Sequence, residues 1–419
     1  MIQKIIFIFS ILFLYNCKSV KTSKKITKNI DFNFYKNQFT GVLVYNPRTK
    51  DTIVSYNEKR YFTPASNTKI FTLFAALEML PDSIPAFKYR INKDTITVLG
   101  TGDPSFLHPF FADSTALKKF NNYKKIVLIT TNLIDDKFAP GWAWEDYDAY
   151  FSPERSAFPM YGNVVRISKK DSLQIIPEIL SKKVSLTTKK FRRAYPKNEF
   201  YYKPSRSEEV EIPLVMDSLL ICKLWNDLIP NKVTIKKYVA EKWQTAYSIP
   251  SDSLYKRMLF VSDNFLAEQM LILASSTLSD TLNTAKVRDY ILQNALKDLK
   301  QQPRWVDGSG LSRYNLFTPT SFVQVLDKLY KNVPKKRLFH FFPVGGKSGT
   351  LKNWYAGNPR PYIFAKSGSL SNNYNLSGYL VTNKGETLIF SFMNNHFRKP
   401  TNEIKKQMQM FFELLRDTY

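Results

Sequence analysis

Strand-forming segments stand at both ends of this chain, and a sheet that pairs them makes everything between an excursion from one domain. Residues 40–45 and 52–56 are β-rich runs joined by the turn-forming Asn46-Pro47-Arg48-Thr49-Lys50. Residues 362–370, 375–382 and 387–393 read as three more strands, with Asn383-Lys384-Gly385 turning between the last two. An amphipathic stretch over 402–417 predicts a closing helix. Between the ends, 70–80 is apolar on nearly every side, so it predicts a buried helix stopped by Pro81. Further helical character runs over 255–274, 284–299 and 321–330. From 85 to 237 the pattern changes to short strand-like runs, such as 125–130 and 164–167, among Pro and aromatic loops. The fold class expected is α/β (α+β): one discontinuous domain, 37–84 and 238–419, interrupted by a strand-rich inserted domain, 85–237. With 419 residues, 44% of them hydrophobic and 15% aromatic, the chain has ample material for two cores.

The N-terminal residues read differently. Lys4 precedes an apolar run over 5–14, whose ten residues as a helix span only about 15 Å of a roughly 30 Å hydrocarbon layer. That length fits an export signal over 1–17. Leu14-Tyr15-Asn16-Cys17 resembles a bacterial lipoprotein cleavage site, which makes Cys17 the expected lipidation site. A basic tether, 18–36, follows. The expected location is therefore outside the cytoplasm, in the periplasm, held to a membrane surface by an N-terminal lipid. The whole chain carries a formal net charge of +26, which suits an anionic partner such as a lipid surface or an acidic cell-wall polymer. Export argues against nucleic acid, and no nucleic-acid-binding signature occurs. Two cysteines exclude a disulfide framework, and three scattered histidines offer no zinc spacing, so no structural metal site is expected. Cys222, within an apolar run, reads as a buried small hydrophobe.

Three short motifs carry chemistry. Ser66-x-x-Lys69 opens the buried helix; residues i and i+3 share a helix face, so the amine can reach the hydroxyl. A lysine desolvated there, near the positive end of a helix dipole, loses its proton more easily and becomes a base for the serine. Ser262-Asp263-Asn264 offers a hydroxyl to relay a proton and an amide to orient a peptide bond. Lys366-Ser367-Gly368-Ser369, on a strand, offers a cation and a hydroxyl for a carboxylate and a glycine for close backbone approach. Each motif has a local double: Ser253-x-x-Lys256, Ser371-Asn-Asn373 and Lys347-Ser348-Gly349-Thr350. Only the first set has the order of a buried helix start, an interhelical segment and then a strand before a terminal hairpin and helix. That order is the arrangement of penicillin-interacting serine enzymes.

With these motifs the chain resembles the D-alanyl-D-alanine carboxypeptidase/endopeptidases of peptidase family S13, the penicillin-binding protein 4 type. Gly100-Thr-Gly-Asp-Pro-Ser105, Pro140-Gly-Trp-Ala-Trp-Glu-Asp146, Asp307-Gly-Ser-Gly-Leu-Ser312, Gly349-Thr-Leu351 and Asn375-Leu-Ser-Gly-Tyr379 extend the resemblance over about 40–396. The interval from Ser66 to Ser262 fits that family's inserted domain rather than a compact β-lactamase, and Ser367 stands where the family usually has threonine. The resemblance implies a serine transpeptidase/β-lactamase-like domain and a serine-type peptidase acting on D-Ala–D-Ala termini or cross-links of peptidoglycan. In it Ser66 is the nucleophile, Lys69 its base and Ser262 the proton relay. Asn264, Lys366 and Ser367 bind substrate, and the backbone N–H groups of Ser66 and Ser369 form the oxyanion hole. The implied partners are peptidoglycan stem peptides and, as covalent inhibitors, β-lactams; no metal or organic cofactor is implied. A β-lactamase-like hydrolase and a catalytically inactive wall-binding lipoprotein are the alternatives. The first lacks a Glu-x-x-x-Asn between Ser66 and Ser262, and the second is disfavoured because every motif residue is present.

Overall fold

The computed structural model describes residues 32–169, 172–203, 205, 208–230 and 232–419; the leader, Cys17 and most of the basic tether lie outside these. The hairpin β1 (Phe39–Asn46) and β2 (Asp51–Tyr56) is followed by a 3-10 turn, Ala65–Thr68, that runs straight into α1 (Lys69–Met79). Strands β3 (Ser83–Asn92), β4 (Thr95–Gly100), β5 (Lys125–Ile129), β6 (Val164–Lys169) and β7 (Leu173–Ile176) come next. After them come β8 (Val184–Leu186), β9 (Phe200–Tyr202), β10 (Val210–Pro213), β11 (Lys232–Ile235) and β12 (Gln244–Pro250). Two helices interrupt these strands, α2 (Thr115–Phe120) and α3 (Ser218–Leu228). Helices α4 (Ser251–Phe260), α5 (Asn264–Leu278), α6 (Thr284–Gln293), α7 (Pro319–Asn332) and α8 (Lys335–Phe341) lead to β13 (Ile363–Leu370). The chain closes with β14 (Asn373–Val381), β15 (Thr387–Asn395) and α9 (Thr401–Thr418).

The two ends of the chain share one antiparallel sheet, in the order β13-β14-β15-β1-β2. Val42 of β1 lies opposite Phe392 of β15 on one side and Tyr56 of β2 on the other. Successive side chains of a strand point to opposite faces, so a sheet covered on both must be apolar at adjacent positions. β15 is such a strand: Ile389 and Met393 pack with the helices α1, α4, α5 and α7, while Phe390 and Phe392 pack under α9. This places β13, carrying Lys366 to Ser369, at the sheet's open edge.

A second five-stranded sheet, β11-β5-β4-β3-β12, and a three-stranded one, β10-β6-β7, build a separate core. Its centre is aromatic. Trp225 of α3 stacks on Phe106 at a 4.8 Å centroid distance and 10° between planes, and packs on Phe120 at 4.8 Å. Among the described residues no helix is long and apolar enough to cross a membrane.

Several elements differ from the sequence expectation. The helical stretch over 255–274 is two helices broken at Ser262, whose φ of 62° is left-handed, and Asp263 caps α5 by accepting from Leu266 N–H at 3.0 Å. Residues 284–299 form a helix only to Gln293, and Lys335–Phe341 is an additional helix. The segment 85–237 is not purely strands and loops: Asp217 accepts from Leu220 N–H at 2.7 Å and starts α3, whose Leu220, Ile221, Leu224 and Trp225 form one buried face. Cys222 is half-buried rather than buried, because it sits beside that face and not on it.

Candidate active site

The first motif is held by the turn that precedes α1. Ala65 has a φ of 48°, a conformation an alanine adopts only when its surroundings impose it, and its carbonyl accepts from Thr68 Oγ at 2.9 Å. The turn is tied to the sheet: Asn375 Nδ2 donates to Pro64 O at 2.9 Å, and Asn67 Nδ2 donates to Ser377 Oγ at 2.8 Å. Gly368 explains how closely β13 can approach. A Cβ there would stand 2.5 Å from Pro64 O and 3.0 Å from Ser66 N, so any side chain would push the strand off the turn.

Lys69 is fully buried, and its Nζ has three neighbours: Ser66 Oγ at 3.0 Å, Asn264 Oδ1 at 2.6 Å and the Ser309 carbonyl at 2.7 Å. The last two can only accept. A neutral amine has two N–H donors and one lone pair. With both protons taken by Asn264 and Ser309, the lone pair is left for the Ser66 hydroxyl to donate into. Burial pulls the Lys69 pKa down to about 8, against the opposing pull of Asp307, Asp263 and Glu268.

The Ser309 carbonyl is itself fixed from behind. Ser309 N–H donates to Glu268 Oε1 at 2.7 Å, and Glu268 Oε2 lies 3.5 Å from Arg155 Nη1. Asp307 gathers the rest of the loop, accepting from Gly310 N–H at 2.8 Å, Ser312 N–H at 2.6 Å, Asn315 Nδ2 at 2.7 Å and Trp142 Nε1 at 2.9 Å. Burial, and next the charge of Asp307, push the Glu268 carboxyl up to about 7. Neither Glu268 nor the Ser309 carbonyl belongs to a motif legible in advance. Backbone acceptors carry no side-chain signature, although Asp307-Gly-Ser-Gly-Leu-Ser312 did stand out as a pattern.

Asn264 was expected to face substrate. It lines the cleft, but both ends of its amide are engaged, Oδ1 with Lys69 and Nδ2 donating to Phe151 O at 2.9 Å. Ser262 also lines the cleft, on the left-handed residue between α4 and α5. Lys366 is fully buried on β13 and donates to the Ser367 carbonyl at 2.5 Å. Burial, and next the charge of Lys69, hold its pKa well below the ordinary lysine value. Ser367 and Ser369 open onto the cleft.

The second K-S-G run divides. Lys347 is exposed in a turn in which Ser348 Oγ accepts from Val344 N–H at 3.1 Å, whereas Thr350 reaches the cleft and accepts from Ser367 Oγ at 2.9 Å. The sequence offered Gly349-Thr-Leu351 only as a local pattern. Ser66, Ser262, Asn264, Ser367 and Ser369, from three separate stretches of chain, thus border one cleft of about 560 Å³, with Lys69 and Lys366 buried beside it.

This convergence matches a family. The model of the D-Ala-D-Ala carboxypeptidase 3 (S13) family matches residues 24–186 and 227–415. The chain belongs to the S13 family. As an S13 member it is a peptidase, and its relatives are named accordingly. It is 23% identical to penicillin-sensitive carboxypeptidase A of Dictyostelium discoideum over 84% of this chain and 82% of that protein. It is 29% identical to D-alanyl-D-alanine carboxypeptidase DacB of Haemophilus influenzae, over 41% of this chain and 37% of that one. The S13 fold extends over nearly the whole molecule. The crystal structure of penicillin-binding protein 4 (dacB) from Haemophilus influenzae superposes with a TM-score of 0.72 at 21% identity, covering 94% of this chain and 98% of that one. A predatory peptidoglycan endopeptidase from Bdellovibrio bacteriovorus matches at a TM-score of 0.51 and 15% identity, over 90% and 92%.

Proposed function

We propose that this S13 peptidase is a serine-type DD-peptidase that cleaves D-Ala–D-Ala termini or cross-links of peptidoglycan through an acyl-enzyme on Ser66. The observation that carries the reading is the surroundings of Lys69 Nζ, where two acceptors occupy both protons of a neutral amine and Ser66 Oγ faces the remaining lone pair. In the first step Ser66 Oγ bonds to the carbonyl carbon of the scissile peptide, and its proton passes to Lys69 Nζ. The oxyanion lies between the backbone N–H groups of Ser66 and Ser369, which the missing side chain of Gly368 lets approach; each such donor is typically worth about 3–4 kcal/mol. The C–N bond then breaks, and the leaving amine takes a proton from Lys69 through the Ser262 hydroxyl. Water attacks the ester, giving up a proton to Lys69 and restoring Ser66–OH with release of the acid product.

Lys366 and Ser367 receive the carboxylate of the leaving residue. An incoming carboxylate favours the charged form of Lys366, which burial otherwise disfavours, so binding and protonation reinforce each other. Asn264 holds Lys69 in place and borders the peptide side of the substrate. β-Lactams inhibit by acylating Ser66 without release. We further propose that the enzyme is exported to the periplasm and anchored through a lipid on Cys17, and that 85–237 is an inserted domain forming one wall of the cleft.

Incubating the protein with cross-linked and uncross-linked muropeptides and identifying products by mass tests this function. Release of D-alanine from a stem terminus or splitting of the dimer, either one abolished by Ser66→Ala, is expected. Intact substrates with the wild-type protein contradict it.

A further inference from the structure

Past Ser262 the cleft continues between α4 and the insertion, where His108, Gly162, Val164 and Glu211 face Arg257 and Val261. None of these residues belongs to the three motifs. The Arg257 guanidinium lies 4.4 Å over the Phe110 ring, and its Nε is 3.4 Å from Asp263 Oδ2. The other oxygen of Asp263 caps α5, so the carboxylate that steadies Arg257 cannot swing away without uncapping a helix. Only 21% of the arginine side chain is exposed, which strengthens any charge it meets in the cleft.

His108 is 5% exposed, and its Nδ1 accepts from Phe110 N–H at 3.1 Å. The neutral ring therefore carries its proton on Nε2. Burial holds its pKa at about 4, so the ring stays neutral at physiological pH. Among the described residues Nε2–H has no hydrogen-bond acceptor, and the Glu211 carboxyl has neither a hydrogen bond nor an ion pair. A cation, a neutral N–H donor and a carboxyl thus line one pocket that nothing among the described residues fills.

We propose that His108, Arg257 and Glu211 form a second subsite, on the leaving-amine side of Ser66, for a peptide that carries a carboxylate of its own. The proposal rests on the reading above, in which Ser262 delivers the proton to the leaving amine, because whatever that amine bears must pass Ser262. A single leaving D-Ala ends at Lys366 and Ser367 and never reaches this wall. The leaving half of a cross-link does. Arg257 and the His108 N–H suit its carboxylate, and Glu211 suits a peptide N–H or a protonated amine. An all-basic wall would suit a polyanion and an apolar one a lipid; this wall is mixed.

Calorimetric titration of the Ser66→Ala protein with a cross-linked muropeptide dimer and the uncross-linked monomer tests the subsite without turnover. Adding Arg257→Gln should lower the dimer-to-monomer affinity ratio about tenfold, and Glu211→Gln about threefold. Glu211 lies on the edge strand β10, so it serves as the reporter should Arg257→Gln fail to fold. An unchanged ratio in both folded variants overturns the subsite. Penicillin labelling of Ser66 in the protein with only Arg257→Gln separates the two readings. Labelling with an unchanged ratio removes the subsite and leaves the peptidase; a lowered ratio in a protein that is never labelled supports the subsite and removes the acyl-enzyme.

Discussion

In the proposed mechanism, burial and hydrogen bonding combine to make Lys69 the base. A fully exposed lysine is an ammonium at neutral pH, whereas this one, with a pKa of about 8, is neutral in a usable fraction and oriented by Asn264 and Ser309. The proposed mechanism uses the neutral form, so acylation by penicillin should quicken as pH rises through about 8 and level off above it, as stopped-flow rates would report. A rate that falls over that range would mean the ammonium is the working form. The two K-S-G lysines give a second check. Lys366→Ala should reduce turnover of D-Ala–D-Ala substrates at least about tenfold, the loss of a charge-assisted contact, while exposed Lys347→Ala stays within about twofold. Equal damage in folded proteins would contradict that division. Spacing made Ser66 and Lys69 legible in the sequence, because i and i+3 on a helix must meet. The same logic could not find Ser309, whose contribution is a carbonyl, or Glu268, which supports that carbonyl from behind. Thr350 falls in two sequence patterns, the second K-S-G run and Gly349-Thr-Leu351, and the turn at Gly349 parts it from Lys347.

At the scale of elements, turns do the positioning. Gly310 has a φ of 85°, and a Cβ there would stand 1.9 Å from the carbonyl oxygen of Ala65, the residue before Ser66. Gly385 has a similar φ of 83° in the terminal hairpin, with nothing within 4 Å. Conformational strain is common to both, and collision belongs only to the first. Gly310→Ala should therefore cost about 2–4 kcal/mol and slow acylation, whereas Gly385→Ala should cost about 1 kcal/mol and leave acylation alone. Thermal melts with penicillin labelling of the same samples would measure both, and equal costs would contradict the packing argument. The terminal strands and α9 were legible from alternation and periodicity. The motif order sets Ser262 between helices while periodicity runs on through 255–274; apolar residues hide the break, which comes from one left-handed residue and an Asp cap. Likewise α3 hid in a segment judged by its surrounding strands, although Asp217 followed by Leu220, Ile221, Leu224 and Trp225 is a capped amphipathic pattern.

The whole molecule brings the two ends of the chain into one sheet, and only that closure sets Ser66 on the turn after the hairpin against Lys366 to Ser369 at the sheet's edge. Strands at both termini made this architecture legible; what they could not tell was that the cleft would extend along the insertion. The net charge of +26 belongs to this scale as well. If it holds the enzyme near an anionic wall, the fraction pelleting with purified sacculi should fall as salt rises from about 0.05 to 0.5 M and the screening length shrinks from about 14 to 4 Å. Salt-independent pelleting would assign retention to something other than charge. The central claim, a serine nucleophile assembled from distant segments, is tested most directly by treating the protein with penicillin, digesting it and mapping the adduct by mass spectrometry. The account predicts a single covalent adduct on Ser66, lost in Ser66→Ala. An adduct on Ser253, Ser262 or any other residue, or none on a folded protein, would contradict it.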